Sequence, residues 1–302
     1  MSLGLLLPGQ GGQAPGMLAL AQGHPEGAAI LEAAAAVLGA APADLLGQGD
    51  AFRNEVAQPL VCAAQLATWA ALRERLPPPA LLLGYSVGEL AAHGIAGTFT
   101  PGATVALARR RAALMDQACP APAGLLGLRG LPLSRLEALA DEAGCAVAIV
   151  NGPDHAVLGG PAPTLELAAG LAAAAGATTV QRLPIGVPAH TRWMAGAVAP
   201  FAQALAAAGP RPTQVSVLAG LSGAPIRGGA AAVEALSRQV AERLEWARCL
   251  AVAGELGCTV LLELGPGTAL SRMAREALPG VAARAVAEFR TAEGVARWVA
   301  GR

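Results

Sequence analysis

Aromatic residues are scarce in this chain, with four Phe, four Trp and one Tyr among 302 residues. A core built without large rings must come from close helix–sheet contacts between small side chains. Alanine supplies much of the 54% hydrophobic content. Net charge is lacking too: 21 basic and 21 acidic side chains give a formal value of zero. No polybasic block is present, which argues against nucleic acid and anionic membranes as primary partners. No run of about 18 apolar residues is free of Gly, Pro or charge, so no membrane span is expected. The apolar start, Ser2-Leu3-Gly4-Leu5-Leu6-Leu7-Pro8, is too short for a signal peptide and lacks a basic leader. Cys62, Cys119, Cys145, Cys249 and Cys258 are odd in number and form no CxxC pair. They read as small core residues in a reducing compartment, and the cytoplasm is the expected location. No metal-ligand cluster stands out.

What is present is a legible series of elements. Residues 3–7 read as a buried strand running into Pro8-Gly9-Gln10-Gly11-Gly12-Gln13. Helical patterns cover 26–38 and 58–75, and Pro77-Pro78-Pro79 leads into a strand at 80–84. A helix around 102–117 follows, then a rigid, hinge-like Cys119-Pro120-Ala121-Pro122-Ala123-Gly124. Beyond it the order is strand 125–128, helix 132–143, strands 146–150 and 155–159, helix 164–175 and strand 178–183. That βαββαβ order predicts a ferredoxin-like unit. Helix 193–208, strand 215–218, helix 230–255, strand 259–263 and helix 268–277 complete a larger unit.

The chemistry centres on Leu81-Leu82-Leu83-Gly84-Tyr85-Ser86-Val87-Gly88-Glu89. A short apolar strand enters Gly-x-Ser-x-Gly, and an Ala-rich helical pattern follows at once. That is the strand–turn–helix context of a nucleophile elbow. The turn exposes Ser86 Oγ at a helix N-terminus, where N–H groups and the helix dipole favour negative charge. A nucleophilic serine needs a base, and there are only four histidines. His24, in a Gly-His-Pro loop, reads as surface. His93 reads as a helix-face residue pointing away from the elbow. His155 lies beside the Asn151-Gly152-Pro153-Asp154 turn. His190 follows Gly186-Val187-Pro188-Ala189, where the chain re-enters the larger unit. His190 and His155 both stand as candidates on placement alone.

Six motifs then fall in one order: Pro8-Gly9-Gln10-Gly11, Gly84–Glu89, Arg111-Ala112-Ala113-Leu114-Met115, Asn151-Gly152-Pro153, Pro188-Ala189-His190 and Glu263-Leu264-Gly265-Pro266-Gly267. In this respect the chain resembles the malonyl-CoA:acyl-carrier-protein transacylases over nearly its whole length. The resemblance implies an α/β fold. Its hydrolase-like large subdomain (1–122 and 190–302) has a parallel-rich sheet and the elbow, and a ferredoxin-like subdomain (123–189) is inserted. It implies Ser86 as nucleophile, His190 as general base, and the backbone N–H groups of Gln10 and Val87 as oxyanion donors. A backbone carbonyl orients the histidine in this family, and by position it comes from Leu256. Arg111 would grip a malonyl carboxylate, with Gln58 and Asn151 lining the pocket. The implied reaction carries malonyl from malonyl-CoA to the thiol of an acyl carrier protein through a malonyl-serine. The coenzyme A thioester is then substrate, and no cofactor is bound permanently.

Each residue also has a plainer reading. Arg109, Arg110 and Arg111 could be a solvated run, Gln10 and Asn151 turn residues, Glu89 a brace for the fold and Trp246 a packing residue. Tyr85 stands where fatty-acid-synthesis members commonly have histidine, and Ala189 where they have serine. The tyrosine looks like the version in the malonate decarboxylase epsilon subunit. The expected acceptor is accordingly the carrier subunit of that decarboxylase. The alternatives are a transacylase of fatty acid or polyketide synthesis, a serine hydrolase or patatin-like lipase, and a non-catalytic carrier-binding module.

Overall fold

Leu3–Leu7 (β1) and Leu81–Gly84 (β2) are buried at every position. Unbroken apolar runs of this kind suit parallel strands covered on both faces rather than a half-solvated sheet. The computed structural model describes residues 2–47, 50–119 and 122–302. Its remaining strands are Ala123–Arg129 (β3), Ala146–Gly152 (β4), His155–Pro161 (β5), Thr179–Arg182 (β6), Ser216–Leu218 (β7), Pro225–Ile226 (β8), Val260–Glu263 (β9) and Ala282–Ala285 (β10).

The larger sheet runs β10-β9-β1-β2-β7-β8, parallel except for the β8 edge. β1 and β2 lie side by side at its centre, with Leu7 opposite Gly84. Their carboxyl ends therefore release the Pro8–Gln10 loop and the Ser86 turn next to each other. Crevices at the carboxyl ends of parallel strands are where such sheets bind ligands. The smaller sheet is antiparallel in the order β4-β5-β3-β6, the ferredoxin-like arrangement. Side chains alternate across it. Leu126, Leu128 and Leu158 pack under helices Leu133–Ala143 and Ala162–Ala174, against Leu136, Leu139, Leu165 and Ala168. Leu125, Ile149 and Val157 point the other way, into the core of the larger unit. The fold is thus α/β with a second, smaller sheet subdomain. We propose residues 123–189 as the inserted subdomain; Pro120 and Ala121 of the expected hinge lie outside the described residues.

Two departures from the sequence reading matter. The expected helix 230–255 is two helices, Gly229–Arg238 and Trp246–Glu255. Between them Leu244 leaves the helical ladder and bonds the free edge of β4: its N–H reaches Ala148 O at 2.9 Å, and Val150 N–H reaches its carbonyl at 2.8 Å. β10 was not anticipated, because Ala282-Ala283-Arg284-Ala285 has helical composition; pairing with β9 overrides that preference. None of the five cysteines forms a disulfide. Among the described residues no helix is long and apolar enough to cross a membrane.

The elbow depends on bare backbone. A Cβ on Gly88 would lie 2.0 Å from Leu7 O, and one on Gly84 would lie 2.1 Å from the Glu89 backbone. Gly170, inside helix Ala162–Ala174, has nothing within 4 Å of its Cβ position. Gly88→Ala should therefore destabilise by at least the ~1–3 kcal/mol typical of overpacking. Gly170→Ala should stabilise by roughly 0.5–1 kcal/mol. Urea unfolding of the two variants checks both signs.

Candidate active site

Ser86 is the N-cap residue of helix Val87–Ile95 and adopts a positive-φ conformation, φ 57° and ψ −120°. His190 has φ 62°, and these two are the only non-glycine residues with positive φ among the described residues. Such conformations cost on the order of 1–3 kcal/mol each and persist where surrounding contacts over-determine them. For Ser86 the constraint is the close packing of the elbow against β1. For His190 it is the N–H donated to Val240 O at 2.8 Å and the imidazole bonds below.

Nδ1 of His190 meets the backbone carbonyl of Gln239, and Nε2 lies 2.8 Å from Ser86 Oγ. A carbonyl only accepts, so Nδ1 carries the hydrogen, and a neutral ring then presents a bare Nε2 to the serine. Burial, with the nearby Arg111 charge, pulls the imidazole down to about 3, against a partial lift from the Gln239 carbonyl. The ring is therefore neutral at physiological pH and able to accept a proton.

Arg111 projects from helix Pro101–Ala118 and is 2% exposed, whereas its neighbours Arg109 and Arg110 face solvent. Nη1 donates to Gln58 Oε1 at 2.7 Å, and Nη2 to Gln239 Oε1 at 3.1 Å and Ser86 Oγ at 3.4 Å. All three acceptors are neutral. Burial lowers the guanidinium to about 10, so it remains charged at neutral pH. Gln10 and Val87 line the same cleft, which offers about 80 Å³. That is room for a short acyl group. Val87 opens its helix, so its N–H is among those without an intrahelical acceptor. A serine, a neutral imidazole, helix N–H groups and a buried cation in one small cleft suit acyl transfer from an anionic donor.

The structure thus brings together Ser86, His190, Gln10, Val87, Arg111 and Gln58. Two expected residues fall elsewhere. Leu256 ends helix Trp246–Glu255 and is 55% exposed; the carbonyl at His190 belongs to Gln239 instead. The physical reason is the break after Arg238, which no Gly or Pro announces. Asn151 is not among the cleft-lining residues. It sits in an irregular stretch of β4, and its Nδ2 is 3.3 Å from His155 Nε2. His155, the rival base, is held in that pair away from Ser86. His93 is buried against Thr98. Tyr85 packs edge-on against Trp246 with ring centroids 5.3 Å apart. Among the described residues no group of three or more His, Cys, Asp or Glu could hold a metal ion.

Comparison with known proteins gives a consistent picture. The acyl transferase domain family matches residues 5–287. Malonyl CoA-acyl carrier protein transacylase of Mycobacterium tuberculosis is 34% identical over 295 residues, covering 94% of this chain and 96% of its own length. The crystal structure of MCAT from the same species is similar with a TM-score of 0.90 at 31% identity, over 98% of this chain and 100% of that one. A malonyl-transacylase in complex with its type II polyketide acyl-carrier protein gives 0.90 at 28%, over 95% of this chain and 96% of that one.

The depressed histidine makes a pH prediction. Its neutral, proton-accepting form persists until pH falls toward the folded value. The kcat/KM for acylation of the serine should therefore show no inflection at 6.5, the ordinary histidine value, and should fall only toward about 3. An acid limb centred on the ordinary value in the pH profile would contradict it.

Proposed function

This chain belongs to the acyl transferase domain family and is an acyltransferase, and we propose that it transfers malonyl from malonyl-CoA to an acyl carrier protein of fatty acid or polyketide synthesis. The observation that carries this reading is Arg111: a buried charge whose hydrogen-bond partners are all neutral, beside Ser86 Oγ. A buried cation calls for an anion, and a guanidinium fork accepts a carboxylate through two parallel bonds. A malonyl thioester supplies one, with its reacting carbonyl a methylene away. An acetyl group leaves the charge unmatched.

His190 takes the Ser86 proton as Oγ bonds the thioester carbonyl carbon. The Gln10 and Val87 N–H groups stabilise the resulting oxyanion, a contribution for which loss of one donor typically costs ~10²–10³ in rate. The carbon–sulfur bond breaks, the CoA thiolate takes the proton from His190, and malonyl remains as a Ser86 ester. The carrier thiol then gives its proton to His190 and attacks the ester. Ser86 leaves and recovers that proton, and malonyl is now a thioester of the carrier.

Tyr85 was the ground for expecting the malonate decarboxylase carrier. It packs edge-on against Trp246 in the wall of the cleft, a contact that does not distinguish one acyl carrier from another. The relatives named above are transacylases acting on acyl carrier protein or paired with a polyketide carrier. They favour the fatty acid or polyketide reading.

Incubation with malonyl-CoA should add one malonyl group by intact mass, and Ser86→Ala should abolish the adduct. Arg111→Ala should lower kcat/KM for malonyl-CoA ~10²-fold or more, the scale of removing one partner of a buried charge pair. It should lower acetyl-CoA use far less; water as the preferred acceptor would point to a hydrolase. Transfer should be faster to a fatty acid or polyketide carrier than to a malonate decarboxylase carrier subunit. The reverse order in a paired assay would reinstate the decarboxylase role.

A further inference from the structure

Two glutamines cradle Arg111, and each could present either end of its amide to the guanidinium. An amide with a free choice would show its oxygen to a cation in only part of the population, and its NH₂ would repel the charge. Here each NH₂ is already claimed. Gln58 Nε2 donates to Asn54 Oδ1 at 2.7 Å. Gln239 Nε2 donates to Glu89 Oε2 at 3.0 Å and to the Ser86 carbonyl at 3.2 Å. Glu89 is wholly buried, and the same oxygen also accepts the Gly220 N–H at 3.0 Å. Its other oxygen has no partner. A buried carboxyl in the elbow motif that touches neither the cleft nor a cation has no role in the proposed acyl-transfer steps.

We propose that Glu89 is a positioning residue for acyl selection: by holding the Gln239 NH₂ it turns Oε1 toward Arg111 and aims the guanidinium at the space beside Ser86. The inference rests on the malonyl reading above. The role requires an acceptor oxygen. The Oε2 atom takes two N–H donors at once, and a carboxyl oxygen has lone pairs for both. Burial pushes the Glu89 carboxyl up to about 8, so near neutrality it is largely protonated and leaves the Arg111 charge for the substrate. Placed directly on Arg111, an ionised carboxylate would occupy the fork that malonyl requires. One residue removed, Glu89 orients the cradle without neutralising it.

The test compares malonyl-CoA with acetyl-CoA in single-turnover acylation of Ser86. Glu89→Gln retains an acceptor oxygen and mimics the protonated acid, so its malonyl-to-acetyl ratio should stay within about threefold of wild type. Glu89→Leu removes the acceptor, and the ratio should drop at least about tenfold through loss of malonyl use. Gln239→Leu keeps the backbone carbonyl that serves His190 and should show the same selective loss. The double variant should be no worse than either single one, as members of one unit behave. If Glu89→Leu does not fold, Gln239→Leu and Glu89→Gln carry the test. Equal loss on both acyl groups, or loss in Glu89→Gln as large as in Glu89→Leu, would overturn the inference. Absence of malonyl preference in the wild type would instead overturn the malonyl reading and this inference with it.

Discussion

The site depends on Gln239 standing outside a helix. Had the chain continued helically from Gly229 to Glu255, its carbonyl would have been spent on an intrahelical bond. Released by the break, it accepts from His190 Nδ1, while its side chain bonds Arg111, Glu89 and the Ser86 carbonyl. Ser86, His190 and Arg111, together with the Glu89 carboxyl, thus meet at one residue. The break is held by the bridge from Leu244 to β4, and this bridge is also where the smaller subdomain closes on the larger. Relative placement of the two sheets and orientation of the base are therefore one structural problem rather than two.

Electrostatics in the cleft follow from dryness. His190 and Arg111 are both buried, and burial works against the charge on each. The outcome differs because their intrinsic affinities differ: the imidazole loses its proton and the guanidinium keeps it. The Arg111 charge is itself one cause of the neutral histidine. The residue proposed to select the substrate thereby also contributes, after burial, to the neutral resting state of the proposed base. Among the described residues, positive φ at non-glycine positions is confined to the same place, at Ser86 and His190. The elbow glycines leave no room for a Cβ against Leu7 and Glu89.

The legible parts of the site were those written in local signals. The strand before Ser86 and the glycines around it announced the elbow, and Pro188 framed the loop that delivers His190. Arg111 was legible only through family resemblance, since Arg109 and Arg110 beside it are solvent-facing and composition treats the three alike. Gln239 was invisible because Ser237-Arg238-Gln239-Val240-Ala241-Glu242 contains nothing that forbids a helix. Asn151 pairs with His155 across the local β4–β5 hairpin instead of lining the cleft, a side-chain choice that the turn's composition does not announce.

Resemblance to a family supplied the α/β class, Arg111 and the choice of His190 over His155; the sequence by itself determined the βαββαβ order of the insertion, the elbow and its serine. These last rest on periodicity and on glycine and proline. Tertiary structure alone decided which carbonyl holds the histidine and which way the Gln58 and Gln239 amides face. It also decided that Arg111 meets only neutral partners. Each of those depends on hydrogen-bonding groups far apart in the chain competing for the same partners, and that competition is settled only once the two sheets are packed together.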